Sequence, residues 1–379
     1  MSRSAVQHAY REDIDYYDER AYGLLASAQD GTGGAVAAFA RYEAPLTREG
    51  ARTVIAREHG VPSWPALERH VAGLRESGEP FARAYRAIEA HDVVGLAELL
   101  DRFPDLVAAR GTNGNDLLGM AGATCDERLV AVLLERGTDV TRGNAHGWTP
   151  LHQAAYSDLP RLAQMLLDAG ARVDVSARGD GGTPLIVALF WGNRTTAELL
   201  AENGVHPRNL RAGAGLGRLD LVEDAGAQRG FYRPHSGFPP WQASDDPQEV
   251  LDEALAWAAR NDRADTLAEL VERGAAVDAD VYRGTALAWA AACGRVVAIR
   301  RLVTLGADPD QRATFGGPGH GDGITALHLA AQNGDMPAIR ALLELGADPA
   351  IHDGLYDGTP ADWAAHGGHE DAHALLAVG

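Results

Sequence analysis

The sequence contains no lysine, because all 34 of its basic residues are arginines. A P-loop needs a lysine on the bound phosphates, a Schiff-base enzyme needs a lysine amine, and a protein kinase needs a lysine on one of its strands. The sequence therefore excludes these three classes of catalytic site. The abundance of alanine and glycine favours coding bias in a GC-rich genome as the reason for the missing lysine.

Cysteine and long apolar stretches are also scarce. The two cysteines, Cys125 and Cys293, are too far apart to form a spacing motif, and we expect both to be small packing residues in a reducing compartment. The longest uncharged apolar stretch, residues 181–193, falls short of the roughly 20 residues that a membrane helix needs. Residues 1–20 lack the apolar core of a secretory signal. We therefore expect a cytoplasmic protein with no membrane partner.

Positive charge is outweighed by negative charge, with a formal net charge of -19. Such a charge repels phosphate backbones, so we expect no nucleic acid partner. The chain is 46% hydrophobic and 23% charged. This composition predicts a globular protein with a substantial core.

A helix start recurs along the chain. It is marked by five threonines, three of which precede proline: Thr149, Thr183, Thr285, Thr325 and Thr359. Threonine at the N-cap accepts a hydrogen bond from a backbone amide, and proline at the first helical position loses nothing because its missing N–H would be unpaired there. The pattern therefore predicts a short helix after each threonine.

A second helix follows each start. Its apolar residues recur at i, i+3 and i+4, as in Ile339, Leu342 and Leu343, so each second helix buries one stripe. A glycine 21 positions after each repeat start predicts a left-handed C-terminal cap. These glycines are Gly137, Gly170, Gly204, Gly274, Gly306 and Gly346.

This pattern resembles the ankyrin repeat. The strongest matches are residues 149–152 (TPLH) and 325–331 (TALHLAA), and the resemblance covers residues 81–379. It implies an all-α ankyrin-repeat solenoid of about nine repeats, with a family period of about 33 residues. The repeat starts lie near 83, 116, 149, 183, 208, 253, 285, 325 and 359.

Residues 1–80 lack this period and are interpreted as a helical N-terminal cap. We expect helices over 35–42, over 48–59, and from the entry at 62–65 to residue 75. A solenoid must cover its terminal apolar face, and these helices are suited to that role. Residues 51–71 also resemble the N-terminal region of bacterial ankyrin repeat proteins that have no assigned activity.

In the ankyrin family, partners usually meet the hairpin tips and the short first helices, which line a concave groove. Aromatic side chains there would offer large contact areas at low entropic cost. The alternative is that they fill gaps between neighbouring repeats. The resemblance places at these positions His146, Trp148, Tyr156, Phe190, Trp191, Arg260, Tyr282, Arg283 and Tyr356.

Two insertions interrupt the repeats, at about 229–250 and 311–323. The first is rich in proline, and its candidate binding residues are Phe231, Tyr232, Arg233, His235 and Trp241. The second is rich in glycine and contains His320 and Asp322. Either insertion could overhang the groove as a lid or wall. Alternatively, the first patches the weak fifth repeat and the second is an elongated turn.

We expect two of the histidines to be structural. His152 and His328 occupy the motif position that, in the ankyrin family, bonds between neighbouring repeats. The two cysteines do not have the spacing of a zinc-binding pair, and we expect no metal and no cofactor.

The function favoured by the sequence is a non-catalytic binding module that recognises a protein or peptide through the concave groove. The alternative is an enzyme or a small-molecule-binding protein whose pocket is closed by the insertions. His235, Tyr232 or Asp322 would then be the acid-base group. A deep pocket with perturbed ionisable groups would favour this alternative, and an open groove would favour the binding module.

Overall fold

The computed structural model describes residues 9–74, 79–177, 182–207, 209–221, 246–316 and 321–377. The chain divides into two compact units, Met1–Pro184 and Leu185–Gly379. Within the described ranges, both units are built almost entirely from short helices.

The first unit opens with a helical segment that precedes the repeats. Its described helices are Ile14–Gln29, Gly33–Arg41, Arg48–Glu58 and Trp64–Ala72. They share a core in which Tyr17 and Leu24 pack with Val54, Ile55 and Leu67. The repeats of this unit then contribute Pro80–Glu89, Val93–Arg102, Leu117–Ala123, Glu127–Glu135, Pro150–Tyr156 and Pro160–Asp168.

The second unit continues the pattern of paired helices. The described helices are Pro184–Trp191, Arg194–Glu202, Leu210–Leu216, Pro247–Arg260, Ala264–Glu272, Ala286–Ala292, Val296–Thr304, Ala326–Gln332, Met336–Glu344, Pro360–His366 and Glu370–Leu376. A two-stranded antiparallel hairpin, Ala313–Phe315 with Gly321–Ile324, precedes the helix Ala326–Gln332. The fold is an ankyrin-repeat solenoid of mostly helical structure, as the sequence predicts.

The threonines, apolar stripes and glycines that mark the repeats have the structural roles that the sequence predicts. Thr149 and Thr325 form capping boxes in which a histidine three residues later bonds back to the N-cap backbone. Ile339 and Leu342 on the second helix are fully buried. The six predicted glycines all have positive φ, between 75° and 104°, which a residue with a Cβ rarely adopts. These local features determine where each helix pair begins and ends.

Three details differ from expectation. The helix Ile14–Gln29 was not predicted, although its N-cap Asp13 accepts a hydrogen bond from the Asp15 amide. The start expected near 253 lies earlier, because Asp246 caps a helix that begins at Pro247. Cys125 is exposed in a turn with φ of 59°, so its prediction as a packing residue is wrong. Among the described residues, no helix is both long and apolar enough to cross a membrane.

Candidate functional site

In the first unit, two of the predicted groove aromatics contact each other. The rings of Trp148 and Tyr156 meet edge to face with centroids 6.0 Å apart. Trp148 also packs on His152 and donates a hydrogen bond from Nε1 to Gln153 Oε1 over 3.3 Å. Both aromatic side chains are partly exposed. They therefore form a small aromatic surface on the helix Pro150–Tyr156 and the turn that precedes it.

The third groove candidate of this unit, His146, is buried against the N-terminal helices. Its Nδ1 lies 2.6 Å from Ser27 Oγ. In the preceding repeat, the Asn113 amide donates to Glu58 Oε2 over 3.1 Å, and His59 Nε2 bonds with Thr112 Oγ1. The turns around residues 112–114 and 144–147 are therefore covered by the chain's own N-terminal segment. His146 is not a free groove residue.

Burial gives Glu58 an unusual protonation behaviour. Removal from water raises the pKa of this carboxyl group to about 7, and the hydrogen bond from the Asn113 amide only partly opposes the rise. The Glu58 side chain is therefore protonated in the native state over much of the acidic pH range.

In the second unit, Arg260 lies at the centre of an aromatic cluster. Its side chain is 2% exposed, and its guanidinium carbon lies 3.6 Å from the ring centroid of Trp289, 4.8 Å from that of Phe190 and 5.5 Å from that of Trp257. Nη1 donates to the Phe190 carbonyl over 2.6 Å and Nε to the Ala256 carbonyl over 3.3 Å. Burial lowers the pKa of Arg260 to about 9.

A small pocket opens beside this guanidinium, and we call it the Arg260 pocket. Its cavity volume is about 10 Å³, which is room for about one water molecule. The lining residues are Phe190, Glu253, Ala256, Trp257, Arg260, Val281, Tyr282, Gly284 and Trp289. Three predicted groove residues, Phe190, Arg260 and Tyr282, thus line one pocket, although Phe190 is only 1% exposed and shapes the pocket from inside.

Glu253, the acidic residue that lines the pocket, forms an ion pair with Arg211. Glu253 Oε2 bonds with Arg211 Nε, and both side chains are almost completely buried. Arg211 is on the helix Leu210–Leu216 and Glu253 is on Pro247–Arg260. Sequence reasoning did not identify this pair, because neither residue belongs to a motif and the two residues are 42 positions apart.

The glycine-rich hairpin is tied to the same cluster by Arg283. Arg283 Nε donates to the Gly316 carbonyl over 2.7 Å, and Nη2 donates to the carbonyls of Phe315 and Gly321 over 3.1 and 2.9 Å. The Phe315 ring packs on Trp289 with centroids 4.7 Å apart. Arg283 is thus held in place as an anchor for the hairpin beside the pocket.

The remaining candidates occupy different places. Trp191 is half-buried and its ring centroid lies 5.2 Å from that of Phe190. Asp322 is exposed on the second strand and does not line the Arg260 pocket. Tyr356 is 63% exposed at the turn before the helix Pro360–His366, beside the exposed Leu355.

Six candidates lie outside the described residues: Phe231, Tyr232, Arg233, His235, Trp241 and His320. Residues 229–245 of the lid expected at 229–250 also lie outside the described residues, so the lid and the acid-base candidates Tyr232 and His235 stay predictions. Residues 247–250 belong to the helix Pro247–Arg260. Over the described ranges, no three side chains of histidine, cysteine, aspartate or glutamate come together in a way that could hold a metal ion.

Comparison with known proteins identifies ankyrin repeats in both units. The ankyrin repeat family models match residues 117–210, as three copies, and residues 322–354. Repeats of this kind generally mediate protein–protein interaction.

Curated relatives match only part of this chain. The Transient receptor potential cation channel subfamily A member 1 homolog of Caenorhabditis elegans is 28% identical over 37% of this chain and 11% of its own length. The SMC5-SMC6 complex localization factor protein 1 of Bos taurus is 35% identical over 21% of this chain and 7% of its own length. The chain thus spans about a tenth of these relatives. The human ASB11 ankyrin repeat domain aligns with a TM-score of 0.38 and 24% identity, over 70% of this chain and 99% of that domain.

Proposed function

We propose that this protein is a non-catalytic binding module that recognises a protein or peptide, and that the surface around the Arg260 pocket is its main contact site. The observation that carries the proposal is that three predicted groove residues, Phe190, Arg260 and Tyr282, line one pocket. Aromatic residues and arginine are the residue types that dominate binding energy in protein interfaces.

The size of the pocket favours a protein partner over a small molecule. Sites for small molecules and cofactors usually enclose about 300 to 1,000 Å³, whereas the Arg260 pocket encloses about 10 Å³. A cavity of this size admits the end of one side chain. The surrounding partly exposed residues, such as Val281 and Tyr282, would contact the rest of the peptide.

The described part of the pocket gives little support to catalysis. Its ionisable residues are Glu253, which is paired with Arg211, together with Arg260 and Tyr282. This set contains no histidine or second carboxyl group to act as an acid-base partner. The enzyme and small-molecule alternative therefore depends on residues 229–250 and on His320.

Two further surfaces are proposed as secondary contacts. One is the pair Trp148 and Tyr156 in the first unit, and the other is the exposed pair Leu355 and Tyr356 in the second. Each presents apolar area to water, which a partner would cover with a gain in free energy. We also propose a cytoplasmic location, which fractionation of cells expressing the tagged protein would test.

The binding function is tested by selecting random peptides displayed on phage against the purified protein. We expect enriched peptides whose affinity falls about tenfold or more with Tyr282→Ala, as expected for an interface aromatic. Tyr22→Ala is the matched control, because Tyr22 is 64% exposed on a helix of the other unit. Failure to enrich any peptide, or equal affinity of both variants, would contradict the proposed site.

The small-molecule alternative predicts a different result. Native mass spectrometry of the purified protein would then show an added mass, and that mass would disappear in the double variant Tyr232→Ala, His235→Ala. A bound metabolite together with no peptide enrichment would replace the binding-module proposal with this alternative.

A further inference from the structure

The Arg260 pocket is locally positive in a strongly negative protein. The chain has a formal net charge of -19, yet the charged residues that line the described pocket are one arginine and one glutamate. Glu253 pairs with Arg211. Together, Arg211, Glu253 and Arg260 carry one net positive charge. All three side chains are buried.

The Arg260 guanidinium has donor capacity that the described chain does not use. Nη1 and Nε donate to the carbonyls of Phe190 and Ala256. Within the described ranges, Nη2 makes no hydrogen bond. Burying a cation without an anionic partner is costly, whereas a charge-assisted hydrogen bond to an anion recovers part of that cost.

Within the described ranges, Arg260 forms no ion pair, although Glu253 in the same pocket attracts it electrostatically. The nearby carboxylate of Asp280 accepts from the amides of Gly284 and Thr314 over 2.6 Å each. A further cation, Arg295, donates from Nε to the Arg260 carbonyl over 3.0 Å. The surroundings of the pocket therefore favour an incoming negative charge.

We propose that the Arg260 pocket binds a carboxylate group, presented as a glutamate or aspartate side chain by the partner peptide. This inference rests on the proposed binding function. The carboxylate takes the place of about one water molecule and accepts from Arg260 Nη2. Tyr282 and Val281, which are partly exposed at the pocket, pack on the apolar residues that flank the acid in the peptide.

The phage selection gives the first test. We expect the enriched peptides to share an acidic residue at one fixed position, flanked by apolar or aromatic residues. Enrichment of peptides without a fixed acid would overturn the carboxylate inference and leave the binding module intact. A selection with no enrichment would count against both.

A thermodynamic cycle tests the contact itself. An enriched peptide and its variant with glutamine at the acidic position are titrated calorimetrically into wild type, Arg260→Gln and the control Arg300→Gln. Arg300 is about half-exposed on a second helix and pairs with Glu344. We expect the peptide substitution to weaken binding about tenfold in wild type and in the control, and to have little effect in Arg260→Gln. An equal loss in all three proteins would overturn the inference.

A second pair of variants keeps the test valid if Arg260→Gln does not fold. Val281 lines the pocket and is partly exposed. Val281→Glu places a competing carboxylate beside Arg260, whereas Val281→Gln has a similar shape and no charge. We expect Val281→Glu to bind the acidic peptide at least tenfold more weakly than Val281→Gln does, and to bind the glutamine peptide as well as Val281→Gln does. Equal binding of the acidic peptide by both variants would overturn the inference.

Discussion

Ser27 and His146 are joined across 119 positions of sequence, with Ser27 Oγ 2.6 Å from His146 Nδ1 in a buried contact. Ser27 is on the first helix and His146 is in a turn between repeats. With the contact between Glu58 and Asn113, this bond attaches the N-terminal helices to two turns of the repeats. The segment thus covers turns that would otherwise be accessible to a partner, in addition to any role as a terminal cap.

Removing this bond should destabilise the first unit. Ser27→Ala leaves a buried ring nitrogen without one of its partners, which costs about 1 to 3 kcal/mol. Chemical denaturation of Ser27→Ala, His146→Ala and the double variant gives the coupling free energy between the two side chains. Strictly additive effects would contradict an energetic link between the N-terminal helices and the turn.

Glu58 should make the first unit less stable as the pH rises. The pKa of Glu58 is about 7 in the native state, and its ordinary value is 4.5. Between these values the native state holds a proton that the unfolded state has released, so stability is present at low pH and is lost as the pH rises through 7. The full effect is at most about 3 kcal/mol.

The matched variant for this prediction is Glu58→Gln, which keeps an acceptor for the Asn113 amide and cannot titrate. Denaturation curves between pH 4.5 and 7.5 should show a stability difference between variant and wild type that grows with pH. A difference that stays constant over this range would show that Glu58 titrates normally.

Leu342 is expected to be a main core residue of the second unit. Its side chain is completely buried on the helix Met336–Glu344. Leu342→Ala should therefore cost about 2 to 5 kcal/mol, because a cavity remains. The matched control is Leu355→Ala, since Leu355 is 43% exposed and should change thermal stability little. Similar melting temperatures for both variants would contradict the core assignment.

The repeats were predictable because their signals are local. Thr325, its partner His328 and Gly346 lie within one repeat, and each acts through neighbouring backbone groups. The helix Ile14–Gln29 was missed because its buried face consists of Tyr17, Ala21, Leu24 and other residues that also occur on surfaces. Its burial depends on helices and turns that come later in the chain.

The pocket was only partly predictable. The position of Tyr282 and Arg260 relative to the repeat starts indicated a common surface, and both residues line the pocket. The charge state of the pocket also depends on the pair formed by Arg211 and Glu253, which are 42 positions apart. No local pattern encodes that pair, because it forms only when the two helices pack together.

The last prediction is that acid lowers the stability of the first unit through protonation of His152. Nδ1 accepts from the Thr149 amide over 3.1 Å, so the ring proton is on Nε2, which lies 3.0 Å from the Gly182 carbonyl and donates to it. Protonating Nδ1 would remove the acceptor, and the charge would be buried. Burial lowers the pKa of His152 to about 4, from an ordinary value of 6.5.

Between these two pKa values the unfolded state binds a proton that the native state does not, so the stability contributed by His152 is lost as the pH falls from 6.5 to 4. The loss is about 3 kcal/mol at most.

The effect of His152 is best measured in the Glu58→Gln background, because Glu58 has the opposite pH dependence in an overlapping range. In that background, His152→Gln should flatten the dependence of unfolding free energy on pH. His91→Gln, which changes a half-exposed histidine, is the comparison variant. If both substitutions leave the same slope, His152 does not titrate as its capping geometry requires.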